Sequence, residues 1–135
     1  QEFKDIMTIE PEIRFGLNTR FDFLISFKKS KAFVEVKNVT LSRKKKVAEF
    51  PDAITSRGLK HINELMKASK KGYKIFILYL IQRNDCNLFT IAKDIDTQYA
   101  KALSKAVKNN LKILCYDCKF SSKGIKMNNK INFKL

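Results

Sequence analysis

The chain has 135 residues, of which 44% are hydrophobic and 30% are charged, which is typical of one globular domain and excludes a disordered segment. Its 28 Lys and Arg residues exceed its 13 Asp and Glu residues by 15, which favours a polyanionic partner such as nucleic acid over mere compositional drift, because binding to phosphates releases counterions. No apolar run approaches the roughly 18 residues of a membrane helix, so no membrane partner is expected.

The first predicted elements are two strands that form a hairpin. Residues 20–27 and 31–41 are rich in β-branched and aromatic side chains, and the polar residues 28–30 separate them. The spacing indicates an antiparallel pair, although no glycine marks the turn.

A basic loop and a helix are predicted next. Residues 42–50 read as the loop, and Asp52 is the expected N-cap of a helix that runs towards Lys71. Gly72 is the expected C-cap. The helical core face is predicted from the spacing of Leu59, Ile62, Leu65 and Met66.

Strands and a second helix fill the rest of the chain. Residues 75–82 are apolar on both faces, which predicts a central strand covered on both sides. A short strand is expected at 87–92, a helix opening at Asp96 or Thr97, and further strands at 111–120 and 130–135. Tyr99, Leu103, Ala106, Val107 and Asn110 would form one face of that helix. The predicted fold class is α/β, a mixed sheet flanked by helices in one domain spanning residues 1–135.

The three cysteines are odd in number, which argues against a disulfide scaffold and for a reducing cytoplasm. Cys115 and Cys118 have CxxC spacing, but they lie in a predicted strand. An odd offset there points the two sulfurs to opposite faces, so zinc or redox chemistry is not expected.

Charged side chains on the predicted hairpin are the candidate chemical site. Glu35 and Lys37 share one strand face, and Asp22 lies between Phe21 and Phe23 on the preceding strand. Across the hairpin Asp22 and Glu35 can face each other, and a hard cation such as Mg²⁺ would relieve their repulsion. Lys37 could then stabilise negative charge on a phosphate. The alternative is a solvated strand face, and the Glu-x-Lys pattern by itself favours that alternative.

The segments TRFDFLI, VEVKNVTL and FPDAITSRGLKHINEL closely resemble the sugar fermentation stimulation protein family (SfsA). The resemblance is strongest between Glu12 and Leu65. It implies a restriction-endonuclease-like core of the PD-(D/E)xK type, with Mg²⁺ or Mn²⁺ as cofactor. Members of that family usually carry an N-terminal OB-like domain, so a chain beginning at Gln1 is expected to be a C-terminal fragment.

The resemblance also implies roles for individual residues. Asp22 and Glu35 would be the metal ligands, Lys37 the catalytic lysine, and Glu12 a further acid of the site. Helical spacing places Arg57 and Lys60 on one polar stripe of the first helix, where they could grip phosphates. The basic run Arg43, Lys44, Lys45 and Lys46 is most simply a solvated loop, but beside such a cleft it could track a nucleic-acid backbone. His61, the single histidine, could orient water, but a structural role is the preferred interpretation.

The leading hypothesis is therefore a cytoplasmic DNA-binding protein with a metal site for phosphodiester hydrolysis. Its rival is a regulator of sugar-utilisation genes that binds DNA on a nuclease scaffold without cutting it. An enzyme acting on sugars is a third hypothesis, which the basic surface does not favour. RNA as an alternative substrate and a homo-oligomeric state are left open by the sequence.

Overall fold

The structure, a computed structural model, describes residues 3–135. Gln1, the starting residue that led to the expectation of a C-terminal fragment, lies outside the described residues. Ten strands and two helices are present among them. The strands are β1 (Ile6–Phe15), β2 (Thr19–Phe27), β3 (Lys31–Val39), β4 (Leu41–Lys44), β5 (Val47–Phe50), β6 (Lys74–Ile81), β7 (Leu88–Ile91), β8 (Leu111–Ser121), β9 (Gly124–Lys130) and β10 (Asn132–Lys134). The helices are α1 (Ser56–Lys70) and α2 (Thr97–Lys108).

The strands form two sheets, and the larger one carries the candidate site. Its order is β1-β2-β3-β6-β8-β9, with β3, β6 and β8 parallel and the outer pairs antiparallel. The smaller sheet has the order β10-β7-β5-β4. The predicted α/β class, a mixed sheet flanked by helices, is confirmed.

The predicted hairpin of β2 and β3 is present. Its turn is closed by the Phe27 N–H, which donates to the Ser30 carbonyl at 2.8 Å. Two other strands of the larger sheet were not predicted. β1 and β9 are the edge strands of the larger sheet, and they are mostly exposed. An exposed edge strand needs no apolar periodicity, which is why pattern analysis passed over both.

The basic segment 42–50, predicted as a loop, is instead two short strands. β4 and β5 pair in an antiparallel hairpin whose register includes Lys44 opposite Val47. Lys46 adopts a positive φ of 65° in the turn. β5 also pairs with β7 in parallel, across a long sequence separation. Such non-local pairing decides the structure here, because the lysine-rich local sequence has little strand propensity.

The first helix begins three residues later than predicted. Thr55, not Asp52, is the N-cap, and its hydroxyl accepts the Gly58 N–H at 2.9 Å. The Thr55 N–H donates to Asp96 Oδ2 at 2.9 Å, while Asp96 Oδ1 accepts the Tyr99 N–H and caps α2. One buried aspartate thus joins the starts of both helices, and this contact between distant segments explains why Thr55 is the cap.

Both helices pack on one face of the larger sheet. Ile62, Leu65 and Ala68 of α1 are buried there with the odd-numbered residues of β6 from Ile75 to Ile81. The predicted end of α1 and the predicted start of α2 agree closely with the structure. Asn110, which was predicted to lie on one face of α2, instead follows the helix with a φ of 75°. Neither helix in residues 3–135 is long and apolar enough to cross a membrane.

The opposite face of the larger sheet is less covered. Val34 and Phe76 form a small buried cluster there, with Phe3 packed against it, but Leu78 and Leu80 remain half-buried. Among the described residues, the prediction that the central strand is covered on both faces therefore holds only for the helical face.

Candidate metal and nucleic-acid site

The β2–β3 pairing is interrupted where the candidate acids lie. Paired residues run from Ser26 with Lys31 to Phe23 with Val34, and no pairing follows on the Asp22 side. There the Asp22 carboxylate replaces a backbone partner, because its Oδ2 accepts the Val36 N–H at 2.7 Å. Asp22 N–H in turn points to Glu35 Oε2 at 3.4 Å. The two carboxylates predicted to face each other are thus brought together at the end of the pairing.

Glu35 is one of the most deeply buried charged side chains, with 4% of the side chain exposed. Its Oε1 atom lies 3.2 Å from Lys37 Nζ and 2.6 Å from His61 Nδ1. Burying a carboxylate without a partner costs roughly several kcal/mol, so these two contacts make the burial of Glu35 possible. β3 supplies Glu35 and Lys37 two residues apart, and α1 supplies His61 from above.

Lys37, His61 and Glu35 form a closed triangle. The third side is the 2.9 Å contact between Lys37 Nζ and His61 Nδ1. Nδ1 can serve only one contact at a time: with a proton it donates to Glu35, and without one it accepts from Lys37. The histidine, interpreted from sequence as structural, therefore lies within contact distance of both candidate side chains of the strand and can bond to either one according to its protonation.

The pKa values of the two acids move in opposite directions. Burial raises the pKa of Asp22, and the nearby charge of Glu35 acts the same way, against the Val36 N–H bond and the charges of Lys37 and His61. Burial also tends to raise the pKa of Glu35, but the hydrogen bond from His61 and the charge of Lys37 outweigh it and hold the pKa below its ordinary value. Two neighbouring carboxyls with divergent pKa values are common in functional sites.

The donor set fits a hard divalent cation. Asp22 Oδ1 has no hydrogen bond in residues 3–135, and Glu35 Oε2 has only the long contact to Asp22 N–H. No three acidic, histidine or cysteine side chains in that part of the chain form a ready cage. Mg²⁺ is commonly held by one or two carboxylates, with water and substrate phosphate as the other ligands, so two acids are sufficient.

Glu12 is not gathered into this cluster. It lies on β1 with a positive φ of 51°, at the position between the pairs Pro11 with Phe23 and Ile13 with Phe21. That register sets it beside Asp22 along the sheet, yet its side chain is exposed and joins no hydrogen bond with Asp22 or Glu35 among the described residues. Its role as a further acid stays a prediction.

The predicted phosphate-binding residues fall into two separate places. Arg57 and Lys60 are exposed on α1 and line a cleft that also reaches His61. Arg43 to Lys46 lie on the smaller sheet, where the Arg43 guanidinium is bound to Glu49 and Asp94 at 2.6 to 2.9 Å. Lys44, Lys45 and Lys46 are exposed around the β4–β5 turn. Of these residues, only Arg57 and Lys60 line a cleft with His61, which in turn contacts Glu35.

Sequence reasoning missed Arg14, Asn18 and Arg20, which line the same cleft from the β1–β2 hairpin. The signal was present in the segment RFGLNTRF, where two Arg-Phe pairs flank a Gly-Leu-Asn turn. It was missed because β1 was not predicted. All three cysteines are buried and unpaired.

A mixed sheet with an aspartate on its second strand, Glu-x-Lys on its third and a helix packed over them defines the chain as a domain of the restriction-endonuclease-like class. The family model described as "Sugar fermentation stimulation protein RE domain" matches residues 1–124. The chain belongs to that family.

Individual relatives agree with this assignment. The chain is 51% identical over 124 residues to a sugar fermentation stimulation protein homolog of Pelagibacter ubique, and 43% identical over 129 residues to one of Roseobacter denitrificans. These matches cover 92% and 95% of this chain but only 53% and 55% of the relatives, so the chain spans about half of the relatives' length. A solved structure of Pyrococcus furiosus SfsA in complex with Ca²⁺ is similar with a TM-score of 0.89 and 27% identity, covering 99% of this chain and 58% of that one.

Proposed function

We propose that this domain binds DNA and hydrolyses its phosphodiester bonds with a divalent cation held by Asp22 and Glu35. The observation that carries the proposal is the convergence of these two carboxylates with Lys37 at the interrupted end of the β2–β3 pairing. The solved complex of Pyrococcus furiosus SfsA with Ca²⁺ supports the proposal of a divalent-cation site in this domain.

The side chains divide the work as follows. Asp22 Oδ1 and Glu35 Oε2 are the oxygens available to Mg²⁺ or Mn²⁺, and the bound ion would polarise the phosphate and lower the pKa of a water molecule. Lys37 Nζ stabilises the negative charge that develops on the phosphate. His61 holds Glu35 in place through the 2.6 Å contact. The carboxylate is therefore already positioned before the substrate binds, and no entropy is lost in ordering it during the reaction.

A cleavage experiment tests this function. The protein is incubated with Mn²⁺ or Mg²⁺ and labelled single- or double-stranded DNA, with RNA as a parallel substrate, beside Asp22→Asn, Glu35→Gln and Lys37→Met. Cleavage by the wild type that disappears in the three variants and with EDTA is expected. As a matched control, Glu64→Gln removes an α1 carboxylate that pairs with Lys67 and not with the site. This variant should cleave DNA at the wild-type rate. Cleavage that persists equally in Asp22→Asn would contradict the proposal.

The second candidate function is binding without cleavage, as a regulator of sugar-utilisation genes. It is favoured by one observation: Glu35 is already compensated by Lys37 and His61 within the chain, so its burial does not require a metal. This function predicts DNA affinity that survives Glu35→Gln, is unaffected by EDTA, and has no accompanying cleavage.

A further inference from the structure

An open cleft of about 680 Å³ leads from the surface to His61. One wall is the β1–β2 hairpin, which contributes Arg14 and Arg20, and the other wall is the start of α1, which contributes Arg57 and Lys60. Because His61 contacts Glu35 directly, a group entering this cleft approaches the paired carboxylates.

The two hairpin arginines are direct cross-strand partners, since the β1–β2 register places Arg14 opposite Arg20. Like charges in that relation repel each other and destabilise the strand pair. Within residues 3–135, neither arginine has an acidic partner, and Arg57 has none either. Three guanidinium groups without an acidic partner line one cleft, and a guanidinium group can bind two phosphate oxygens at once.

Lys60 has a different part, although it lines the same cleft. Its Nζ donates to the Asn18 carbonyl at 2.7 Å, so that α1 is tied to the hairpin turn that begins at Gly16 with a φ of 66°. Lys60, for which phosphate binding stays a prediction, thus connects the two walls of the cleft. It ties the hairpin that carries Arg14 and Arg20 to α1.

We propose that Arg14, Arg20 and Arg57 form a clamp for the phosphate backbone of one extended nucleic-acid strand. The clamp leads that strand towards Glu35, and this destination rests on the proposed function. One strand fits better than a duplex because the acids are recessed, with 4% of the Glu35 side chain and 7% of the His61 side chain exposed. The contact of Lys60 with the Asn18 carbonyl joins the two walls of the same cleft.

Binding in EDTA tests the clamp separately from catalysis. Fluorescence anisotropy of a labelled DNA strand, alone or annealed to its complement, is measured over a series of salt concentrations. The double variant Arg14→Gln/Arg20→Gln should bind the single strand on the order of tenfold more weakly. Its slope of log K against log salt should fall by about 1.4, since each lost phosphate contact on a single strand contributes about 0.7.

A matched control is available at the other edge of the same sheet. Lys119 and Lys126 are also direct cross-strand partners, on the β8–β9 hairpin, and the double change to Gln removes the same charge. This control should keep the wild-type salt slope to within a small fraction of a unit. The arginine variant should melt no lower than the wild type, because it removes a like-charge pair, so weaker binding would not result from unfolding.

Three outcomes would overturn the clamp: equal salt slopes for both double variants, tighter binding of the duplex than of the single strand, or no binding of nucleic acid at all. Arginine-dependent binding of the single strand without any cleavage in Mn²⁺ would support the clamp and count against hydrolysis. The two proposals therefore fail by different observations.

Discussion

The Asp22 carboxylate accepts a hydrogen bond from the backbone N–H of Val36 at 2.7 Å, just beyond the last residues that pair between β2 and β3. One oxygen of the side chain thus completes the hydrogen bonding of β3, while the other remains available for a cation. The same residue serves the sheet and the proposed chemistry, and substitutions can separate the two roles.

Asp22→Ala should lower the free energy of unfolding by about 1–3 kcal/mol, because the Val36 N–H loses its acceptor in a partly buried position. Asp22→Asn keeps a carbonyl oxygen there and should be at least as stable as the wild type. Urea denaturation followed by circular dichroism measures both. If Ala and Asn unfold at the same urea concentration, the hydrogen bond has no structural weight.

The raised pKa of Asp22 predicts a pH-dependent stability difference. An acid whose folded-state pKa is raised contributes stability that is complete below its unfolded value of 3.8 and is lost as the pH rises through the folded-state value. Without divalent ions, Asp22→Asn should therefore gain stability relative to the wild type as the pH rises from below 3.8 through the raised folded-state pKa of Asp22.

The pH dependence of stability that Glu35 contributes has the opposite sign to that of Asp22. Its pKa is lowered in the folded state, so its contribution is present above the ordinary value of 4.5 and is lost as the pH falls through the lower folded-state value. Glu35→Gln should lose stability relative to the wild type over the same rise in pH. Urea midpoints at several pH values in EDTA provide the measurement, and parallel curves for the two variants would be inconsistent with the divergent pKa values.

Divalent ions should stabilise the folded domain through Asp22 and Glu35. At a Ca²⁺ concentration 100-fold above the dissociation constant, linkage predicts about 2.7 kcal/mol of added stability. Differential scanning calorimetry should show a higher melting temperature for the wild type and for Glu64→Gln, but no change for Asp22→Ala or Glu35→Gln. An equal Ca²⁺ effect in Asp22→Ala would place the ion elsewhere.

Gly58 controls how closely α1 approaches α2. A Cβ atom there would lie 2.9 Å from both Thr55 Oγ1 and Cγ2 and 3.1 Å from Tyr99 Cε2. Gly58→Ala should therefore lower the free energy of unfolding by about 1–3 kcal/mol despite the better helix propensity of alanine. Asn63→Ala, at an exposed position of the same helix, should instead be neutral or slightly stabilising. Thermal melts of the two variants make the comparison.

Arg43 should matter for folding more than for nucleic acid. Its guanidinium binds Glu49, whose side chain is 8% exposed, and also Asp94. Arg43→Gln leaves the buried Glu49 without its ionic partner, so a lower melting temperature is expected, whereas Lys44→Gln should melt like the wild type. Affinity for a labelled DNA strand would then fall no more in Arg43→Gln than in Lys44→Gln. A specific loss of affinity in the folded Arg43 variant would restore it to the nucleic-acid surface.

Local pattern was sufficient for the buried elements of the fold. The apolar run in β6 and the helical spacing of Ile62 and Leu65 are properties of a few neighbouring residues, and both were predicted correctly. The edge strands β1 and β9 and the strands of segment 42–50 were not predicted, because exposure or lysine content hides the β pattern. Their partners lie on other strands, and those pairings determine their conformation.

The sequence by itself determined which chemical groups this protein carries: Asp22 on one strand, Glu35 and Lys37 on one face of the next, and a large excess of positive charge. Strand periodicity is local, so these placements follow from neighbouring residues. Only the tertiary structure decided that His61 contacts Glu35, that Asp22 completes β3, and that Arg14 and Arg20 lie over the cleft. Each of these contacts joins elements distant in sequence, and packing of the helix and the β1–β2 hairpin on the sheet sets their distances.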